Sequence, residues 1–164
     1  MASAIINLAD LEAKGKEFLF TERKLSAQVV EKMKIKSVED STKMKEILMN
    51  TFDEERLIKC KVLKRDNNKI QLTINIPSLL IPYFDRTGKL VALQSRYLGT
   101  NENIPRFKML CNSRKQLYNM VLLAKLQEGN KLYIMEGITD CLAMLSADIL
   151  LLPFKVQRLS RKRN

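Results

Sequence analysis

Two carboxylates near the carboxyl terminus are the residues whose types and spacing best suit chemistry. Glu136 ends the apolar run at the start of KLYIMEGITDCLAML, and Asp140 follows it after Gly137. A β-strand over that run would place Glu136 at the carboxyl edge of a sheet, where open α/β folds bind their ligands. Gly137 permits a sharp turn into a helix whose first turn contains Asp140, so both carboxylates can face one spot above the sheet edge.

Paired carboxylates in this position predict a divalent-metal site at Glu136 and Asp140. Mg²⁺ prefers oxygen ligands and is often held by one or two carboxylates together with several waters. The alternative is structural, with Asp140 complementing the helix dipole and Glu136 solvated. Zinc is not expected, because the chain has no histidine and its cysteines, Cys60, Cys111 and Cys141, are widely separated. The lack of histidine also excludes Ser-His and Cys-His nucleophiles.

Apolar periodicity predicts helices in the first part of the chain. One helix is expected to begin after an N-cap at Asn7, a second after an N-cap at Ser26, and a third covers Asp40–Asn50. The hydroxyl of Ser26 is expected to accept a hydrogen bond from a free backbone N–H in the first turn of its helix.

From Arg56 onward the sequence shows the alternation of apolar and polar residues that is typical of half-buried strands. RLIKCKVLKRD and KIQLTINI predict a hairpin, and two more strands flank a turn over Asp85–Gly88. The β-rich stretch is expected to end near residue 111, before a helix over Leu117–Leu126. The segment from KLYIME to ILLLPF then predicts a strand, a helix and a second strand, the start of a parallel β-α-β unit.

These elements predict an α+β protein with four consecutive parts. The parts are a helical region over residues 1–52, an antiparallel β-rich region over residues 53–127, an incomplete α/β unit over residues 128–153 and a basic tail over residues 154–164. No apolar run reaches the length of a membrane span, and the amino terminus lacks the basic region of a secretory signal. Together with the odd number of cysteines, this predicts a cytoplasmic protein without a membrane partner.

The charge of the chain narrows the class of partner. Lys and Arg total 29 while Asp and Glu total 18, which gives a formal net charge of +11. A surplus of this size favours a polyanionic partner, because each neutralised phosphate releases condensed counterions. A soluble protein with a lysine-rich surface is the alternative.

Several motifs resemble, in order, the catalytic core of bacterial DnaG-type primases. KLYIMEGITDCLAML looks like the first motif of the TOPRIM domain, which is found in these primases, in type IA and type II topoisomerases and in related nucleases. ERKLSAQVVEKMKI is similar to the Arg-Gly-(Leu/Ile)-Ser helix near the start of the primase core, with Lys24 in place of the usual Gly. The other matches are Ile81-Pro82-Tyr83-Phe84-Asp85 with Gly88-Lys89, then QSRYLG, PRFK and RKQLYN.

The resemblance implies an enzyme that binds a single-stranded DNA template and nucleoside triphosphates in a basic groove and synthesises RNA primers, for a chromosome or a mobile element. It assigns general acid/base chemistry or metal organisation to Glu136, with Mg²⁺ or Mn²⁺ stabilising the charge that develops in phosphoryl transfer. A replicative helicase would be a partner of the full-length protein. The groove cations that it implies are Arg96 first, then Arg106, Lys108, Arg114 and Lys115. Tyr97 and Phe107 lie among them and either stack on bases or belong to the strand core.

The chain departs from the family pattern after Glu136. The family completes its metal site with an Asp-x-Asp pair on a later strand, whereas the acidic residues after Glu136 are Asp140 and Asp148. The departure predicts a truncated primase that does not hold the metal stably and does not synthesise primers alone. It also predicts an exposed apolar sheet edge at Ile149–Leu152, which either forms a homodimer or packs against the β-rich part of the same chain.

Three other functions stay open at this point. A TOPRIM-type nuclease or topoisomerase-related protein would lack the preceding Ile-Pro-x-x-Asp-x-x-Gly-Lys motif, so that motif favours a primase. A non-catalytic nucleic-acid-binding module fits the net charge of +11 and the missing metal ligands. A regulatory or toxin–antitoxin-like basic α+β protein would make the Glu136–Asp140 pattern a coincidence.

Overall fold

Antiparallel strands form the centre of the computed structural model of the chain, which describes residues 1–67, 69–110, 117–129 and 131–147 and the backbone alone of residues 151–152. The strands are β1 (Lys36–Val38), β2 (Leu63–Asp66), β3 (Lys69–Leu72), β4 (Ser78–Phe84), β5 (Leu90–Tyr97), β6 (Phe107–Met109), β7 (Tyr133–Ile134) and β8 (Leu151–Leu152). The central sheet has the order β1-β4-β5-β6, while β2 pairs with β3 and β7 pairs with β8.

Helices in the described residues surround this sheet. They are α1 (Ala2–Leu8), α2 (Ala13–Lys16), α3 (Ala27–Lys32), α4 (Ser41–Thr51), α5 (Glu54–Lys59) and α6 (Ile138–Ser146). A π-helical segment, Glu17–Glu22, continues α2 directly, and a 3₁₀ helix over Met120–Lys125 precedes β7. The combination of helices with an antiparallel sheet confirms the predicted α+β class. None of the described helices is long and apolar enough to cross a membrane.

The turn predicted over Asp85–Gly88 is confirmed between β4 and β5. The Asp85 carboxylate accepts hydrogen bonds from the backbone N–H of Thr87 at 2.8 Å and of Lys89 at 3.1 Å. Gly88 has a φ of 82°, a left-handed conformation that costs a glycine little. Both turn bonds involve residues close in sequence, which is why this hairpin is predictable from its local residues.

The sheet separates two hydrophobic clusters, because side chains alternate between the faces of a strand. Leu79, Ile81 and Ala92 belong to one cluster, which also contains residues from the π-helical segment, α3 and α6. Leu80 and Leu93 belong to the other, which contains residues from α1, α4, α5 and β2. The β4–β5 hairpin is therefore buried on both faces, which explains why its strands contain long apolar runs.

The amino-terminal helices follow the sequence prediction only in part. Asn7 does not cap a helix, because it lies inside α1. This helix starts at Ala2 and buries Ile5 and Ile6, which precede Asn7. Ser26 precedes α3 as predicted, but its hydroxyl makes no capping hydrogen bond. Asp40 does cap α4, where its carboxylate accepts from the backbone N–H of Thr42 at 2.8 Å and of Lys43 at 3.1 Å.

Two β-rich predictions also need correction. The strand predicted from Arg56 is helix α5 in its first half, because a helical turn buries Leu57 completely and places Glu54 and Glu55 near the positive end of the helix dipole. Its second half is strand β2, and the predicted hairpin with β3 is confirmed. The helix predicted over Leu117–Leu126 is a shorter 3₁₀ helix.

The parallel β-α-β unit predicted near the carboxyl terminus is confirmed. Strand β7 pairs with β8 in parallel, with Tyr133 opposite Leu151. Helix α6 joins the two strands and buries Cys141 and Leu142 against the cluster that contains Leu79. At its carboxyl end, the Ser146 hydroxyl accepts a hydrogen bond of 3.0 Å from the backbone N–H of Ser26, so α6 is fixed to the start of α3.

Candidate nucleic-acid interface

An open groove of ≈ 410 Å³ lies between the π-helical segment and the carboxyl end of β5. Its lining combines cations, carboxylates and aromatic rings. The lining residues are Lys14, Glu17, Phe18, Glu22, Arg23, Arg96, Tyr97, Leu98, Gly99, Thr100 and Arg106. A concave surface with several cations and aromatic rings has the composition that tracks a phosphate backbone and stacks bases.

Arg96 is the central cation of this groove. Strand alternation places it on the same face of β5 as Ala92, and only 5% of its surface is exposed. Its Nε atom has no hydrogen-bond partner among the described residues. Burial, together with the neighbouring charges of Arg23 and Arg106, lowers the pKa of Arg96 to about 10, against a smaller opposing effect of Glu22. The guanidinium still carries its charge at neutral pH, although burial makes the charged form unfavourable.

Two aromatic rings lie against the Arg96 guanidinium. Its Cζ atom lies 3.9 Å from the centroid of the Phe18 ring and 5.8 Å from that of the Phe107 ring. Phe107 is the residue opposite Arg96 in the β5–β6 register, so the pairing of the strands brings them together. None of the ion pairs in the described part of the chain involves Arg96.

Only two of the five predicted groove cations meet in the described structure. Arg106 lines the groove with Arg96, and its backbone carbonyl accepts a hydrogen bond of 2.8 Å from the N–H of Tyr97. Lys108 is not part of the groove, because it pairs with Ser95 and so lies on the other face, where its Nζ donates to the Thr73 carbonyl at 2.7 Å. Arg114 and Lys115 lie outside the described residues.

The two aromatic residues named in the sequence prediction have different environments. Phe107 is 42% exposed, so one part of its ring remains available to a ligand beside Arg96. The Tyr97 side chain packs over Gly99, where an added Cβ would lie only 2.1 Å from the Tyr97 hydroxyl oxygen. Tyr97 is therefore held in the groove wall by a contact that only glycine permits.

The π-helical segment contributes groove residues that the sequence prediction missed. Phe18 and Glu22 reach the groove from this segment and Arg23 from the position directly after it, and the Arg23 Cζ lies 5.2 Å from the Phe18 ring centroid. The available signal was the ERKLS motif, whose arginine is Arg23. Lys24, which replaces the usual glycine of that motif, has a φ of 52°, so the chain adopts the left-handed turn without a glycine there.

The acidic turn has the local geometry that the sequence predicts. Gly137 is the N-cap of α6, and Asp140 lies in the first turn of that helix. A Cβ at Gly137 would lie 2.6 Å from the Asp140 carboxylate oxygen, so glycine leaves room for this carboxylate. Glu136 and Asp140 are both exposed. Across the described ranges no group of three or more His, Cys, Asp or Glu side chains could hold a metal ion.

Cys141 is not a nucleophile candidate despite its position beside Asp140. Its side chain is completely buried, and burial together with the Asp140 charge raises the pKa of the thiol to about 12. The thiolate, the reactive form, is therefore scarce at neutral pH.

Comparison with solved structures shows which class of protein has this architecture: the chain has the fold of DnaG-type primase catalytic cores. It matches the zinc-binding and RNA polymerase domains of Aquifex aeolicus primase with a TM-score of 0.77 and 16% identity, over 93% of this chain and 40% of that one. It matches a DnaG primase catalytic domain bound to single-stranded DNA with a TM-score of 0.74 and 16% identity, over 93% and 53% of the two chains.

A third match is the RNA polymerase domain of Mycobacterium tuberculosis primase DnaG, in complex with a double-stranded DNA oligomer with a 6-nucleotide overhang. The TM-score is 0.73 and the identity 18%, over 93% of this chain and 50% of that one. The chain thus spans about half the length of these solved proteins or less, and the likeness establishes the fold. Comparisons with protein-family models and with curated protein sequences gave no match.

Proposed function

We propose that this chain is a primase-like protein that binds a single-stranded DNA template in the groove around Arg96. The observation that carries the proposal is the buried guanidinium of Arg96, which has no ion pair among the described residues and lies beside Arg23 and Arg106. A buried charge without a counter-charge is unfavourable, and a phosphate would supply that counter-charge and accept hydrogen bonds from the guanidinium. Solved proteins of this fold in complex with single-stranded and double-stranded DNA support the same partner.

The groove favours a single strand over a duplex. The exposed ring of Phe107 lies beside Arg96, so a base can stack on the ring while its phosphate contacts the guanidinium. Bases are available for stacking in this way only when they are unpaired, and each stacked base contributes about 1–3 kcal/mol.

Binding of fluorescein-labelled oligo(dT), measured by anisotropy at several salt concentrations, tests this proposal. Arg96→Met and Arg106→Met keep the aliphatic stems but remove the charges, and we expect each to weaken binding about tenfold. The slope of log K against log salt should fall by about 0.7 for each phosphate contact that is lost.

Arg56→Met is the matched control. Arg56 also lies over an aromatic ring, with its Cζ 5.6 Å from the Phe52 centroid, but it belongs to α5 on the other face of the sheet. Its replacement should leave both the affinity and the salt slope unchanged. Equal losses in all three variants would mean diffuse attraction by the net charge and would contradict a groove at Arg96.

The activity that we propose for the whole protein is primer synthesis from nucleoside triphosphates, with Glu136 and Asp140 as the carboxylates that face a divalent metal. Their exposure and the space that Gly137 leaves for Asp140 support this assignment, because Mg²⁺ accepts a small number of carboxylates and keeps its waters. When bound, the metal would neutralise charge that develops on the transferred phosphoryl group. Glu136 and Asp140 themselves would hold the ion at the carboxyl edge of β7.

Paramagnetic broadening by Mn²⁺ tests the metal assignment without requiring activity. Low concentrations of Mn²⁺ should broaden the backbone amide signals of residues 136–140, and Asp140→Asn or Glu136→Gln should reduce this effect. Glu128→Gln, at another exposed carboxylate of the described chain, should leave the pattern as it is in the wild type. Undiminished broadening in Asp140→Asn and Glu136→Gln would exclude these two residues as ligands.

A further inference from the structure

Arginine and phenylalanine side chains alternate in a row, in the order Arg23, Phe18, Arg96, Phe107, and the first three of them line the groove. The successive distances from guanidinium Cζ to ring centroid are 5.2, 3.9 and 5.8 Å. All three lie within the range of about 6 Å over which a cation is attracted to the negative face of a ring. Phe18 occupies the key position, because its ring contacts both arginines.

The aromatic rings of this row hold positive charges close together although these charges repel each other. The charge of Arg23 lowers the pKa of Arg96, so the two guanidinium groups are close enough to repel each other. Phe18 is itself fixed, since only 5% of its surface is exposed and it packs with Leu19 and Leu25 in a hydrophobic cluster. A rigid ring therefore lies between two cations of the groove.

We infer that Phe18 is the positioning residue of the groove, and that it holds the guanidinium groups of Arg23 and Arg96 ready for the phosphates of a bound single strand. The inference rests on the proposed function. A carboxylate in the place of the ring would also hold the arginines, but it would neutralise them and compete with the phosphate. A ring face attracts the cations while it leaves their hydrogen-bond donors and their full charge to the ligand.

The π-helical geometry explains how Arg23 reaches this ring. The backbone N–H of Arg23 donates to the Phe18 carbonyl at 3.0 Å, a bond across five residues instead of the four of an α-helix. Each π-helical turn contains more residues than an α-helical turn, so Phe18 and Arg23 lie one above the other on the groove side. Helix α2, which the π-helical segment continues, is anchored by Glu39, whose carboxylate accepts hydrogen bonds from the backbone N–H groups of Lys14 and Gly15.

Replacement of Phe18 with an aliphatic and with an aromatic residue tests this inference. Phe18→Leu removes the ring and keeps an apolar side chain, and we expect oligo(dT) affinity to fall about fivefold, with a smaller salt slope. Phe18→Trp restores a ring face and should recover most of the affinity. Phe20→Leu is the control, since Phe20 belongs to the same segment but does not line the groove.

A measurement without DNA separates this inference from the proposed function. The Nε–H signals of Arg23 and Arg96 should be shifted upfield by the ring current of Phe18 in ¹⁵N-labelled protein, and Phe18→Leu should abolish the shift while Phe20→Leu should not. Shifts that persist in Phe18→Leu, or a lost shift with wild-type affinity, would overturn the positioning role. If wild-type protein binds oligo(dT) without any dependence on Arg96, the proposed function itself fails, and the signals still report whether Phe18 holds the arginines.

Discussion

Two buried tyrosines differ in whether the hydroxyl group has a hydrogen-bond partner. The rings of Tyr83 and Tyr118 meet edge to face, with centroids 5.3 Å apart. The Tyr83 hydroxyl donates to the Gln94 Oε1 atom at 3.2 Å, and burial raises the pKa of Tyr83 to about 12. Burial raises the pKa of Tyr118 as well, but its hydroxyl has no hydrogen-bond partner within the described ranges.

Removal of the two hydroxyls should therefore have opposite effects on stability. Tyr118→Phe removes a buried group that makes no hydrogen bond, so the free energy of unfolding should stay the same or rise by about 1 kcal/mol. Tyr83→Phe leaves the Gln94 amide oxygen unpaired and should lower it by about 1–2 kcal/mol. Urea unfolding followed by circular dichroism measures both changes, and each variant is the control for the other. A loss of stability in Tyr118→Phe would show that its hydroxyl does have a partner in solution.

The contact between α2 and β1 decides how the groove segment is held on the sheet. Gly15 lies in α2 directly against Ser37 of β1, and an added Cβ would lie 2.6 Å from Ser37 Oγ and 2.7 Å from its Cβ. Ser37 Oγ also accepts a hydrogen bond of 2.7 Å from the backbone N–H of Glu12, just before α2. The close approach of helix and strand thus depends on the absence of a side chain at Gly15.

Gly15→Ala should reverse the usual effect of this substitution. Alanine in place of a helical glycine normally stabilises a helix by about 1 kcal/mol. Here the clash with Ser37 should outweigh that gain and lower the free energy of unfolding by about 1–3 kcal/mol, as overpacking does elsewhere. Ser37→Gly removes both clashing atoms, so the double variant should be more stable than the sum of the single effects predicts. Additive effects in this double-mutant cycle, measured by urea unfolding, would rule out the clash.

Elements defined by neighbouring residues are those that the sequence predicts correctly. The helix predicted over Asp40–Asn50 is α4, which starts with Asp40 bonds to residues two and three positions away. The predicted β4–β5 turn depends on Asp85 bonds to residues two and four positions away. Strand β1 has only three residues and exists because it pairs with β4, a contact distant in sequence. The π-helical bond between Phe18 and Arg23 depends likewise on tertiary packing, and no local pattern indicates it.

The same distinction applies to the candidate site. Arg96 was predicted because its motif and its strand are local features of the sequence. Phe18 and Arg23 come from a distant segment and meet Arg96 only when the helices pack on the sheet. The predicted homodimer through Ile149–Leu152 stays a prediction, because residues 149–150 and the side chains of residues 151–152 lie outside the part of the chain that the structure describes.

For the molecule as a whole, the excess positive charge affects stability and binding in opposite directions. The net charge is +11, and the ion pairs in the described part of the chain are three, between Lys43 and Glu12, Lys64 and Asp66, and Arg65 and Glu54. Like charges repel in the compact state and so oppose folding, whereas they attract a polyanion. Salt screens both interactions, with a Debye length that falls from about 30 Å at 0.01 M to about 8 Å at 0.15 M.

The thermal stability of the free protein should therefore rise with moderate salt while its affinity for DNA falls. Between 0.01 and 0.15 M KCl we expect a Tm increase of about 2–4 °C, which corresponds to about 1 kcal/mol of relieved repulsion in a chain of this size. In the presence of oligo(dT) the Tm should start higher, because the ligand binds the folded state, and should approach the value of the free protein as salt weakens the complex. Differential scanning fluorimetry of the two samples over one salt series measures both trends. A Tm of the free protein that stays constant or falls with KCl would show that the positive charges lie too far apart to repel each other in the folded chain.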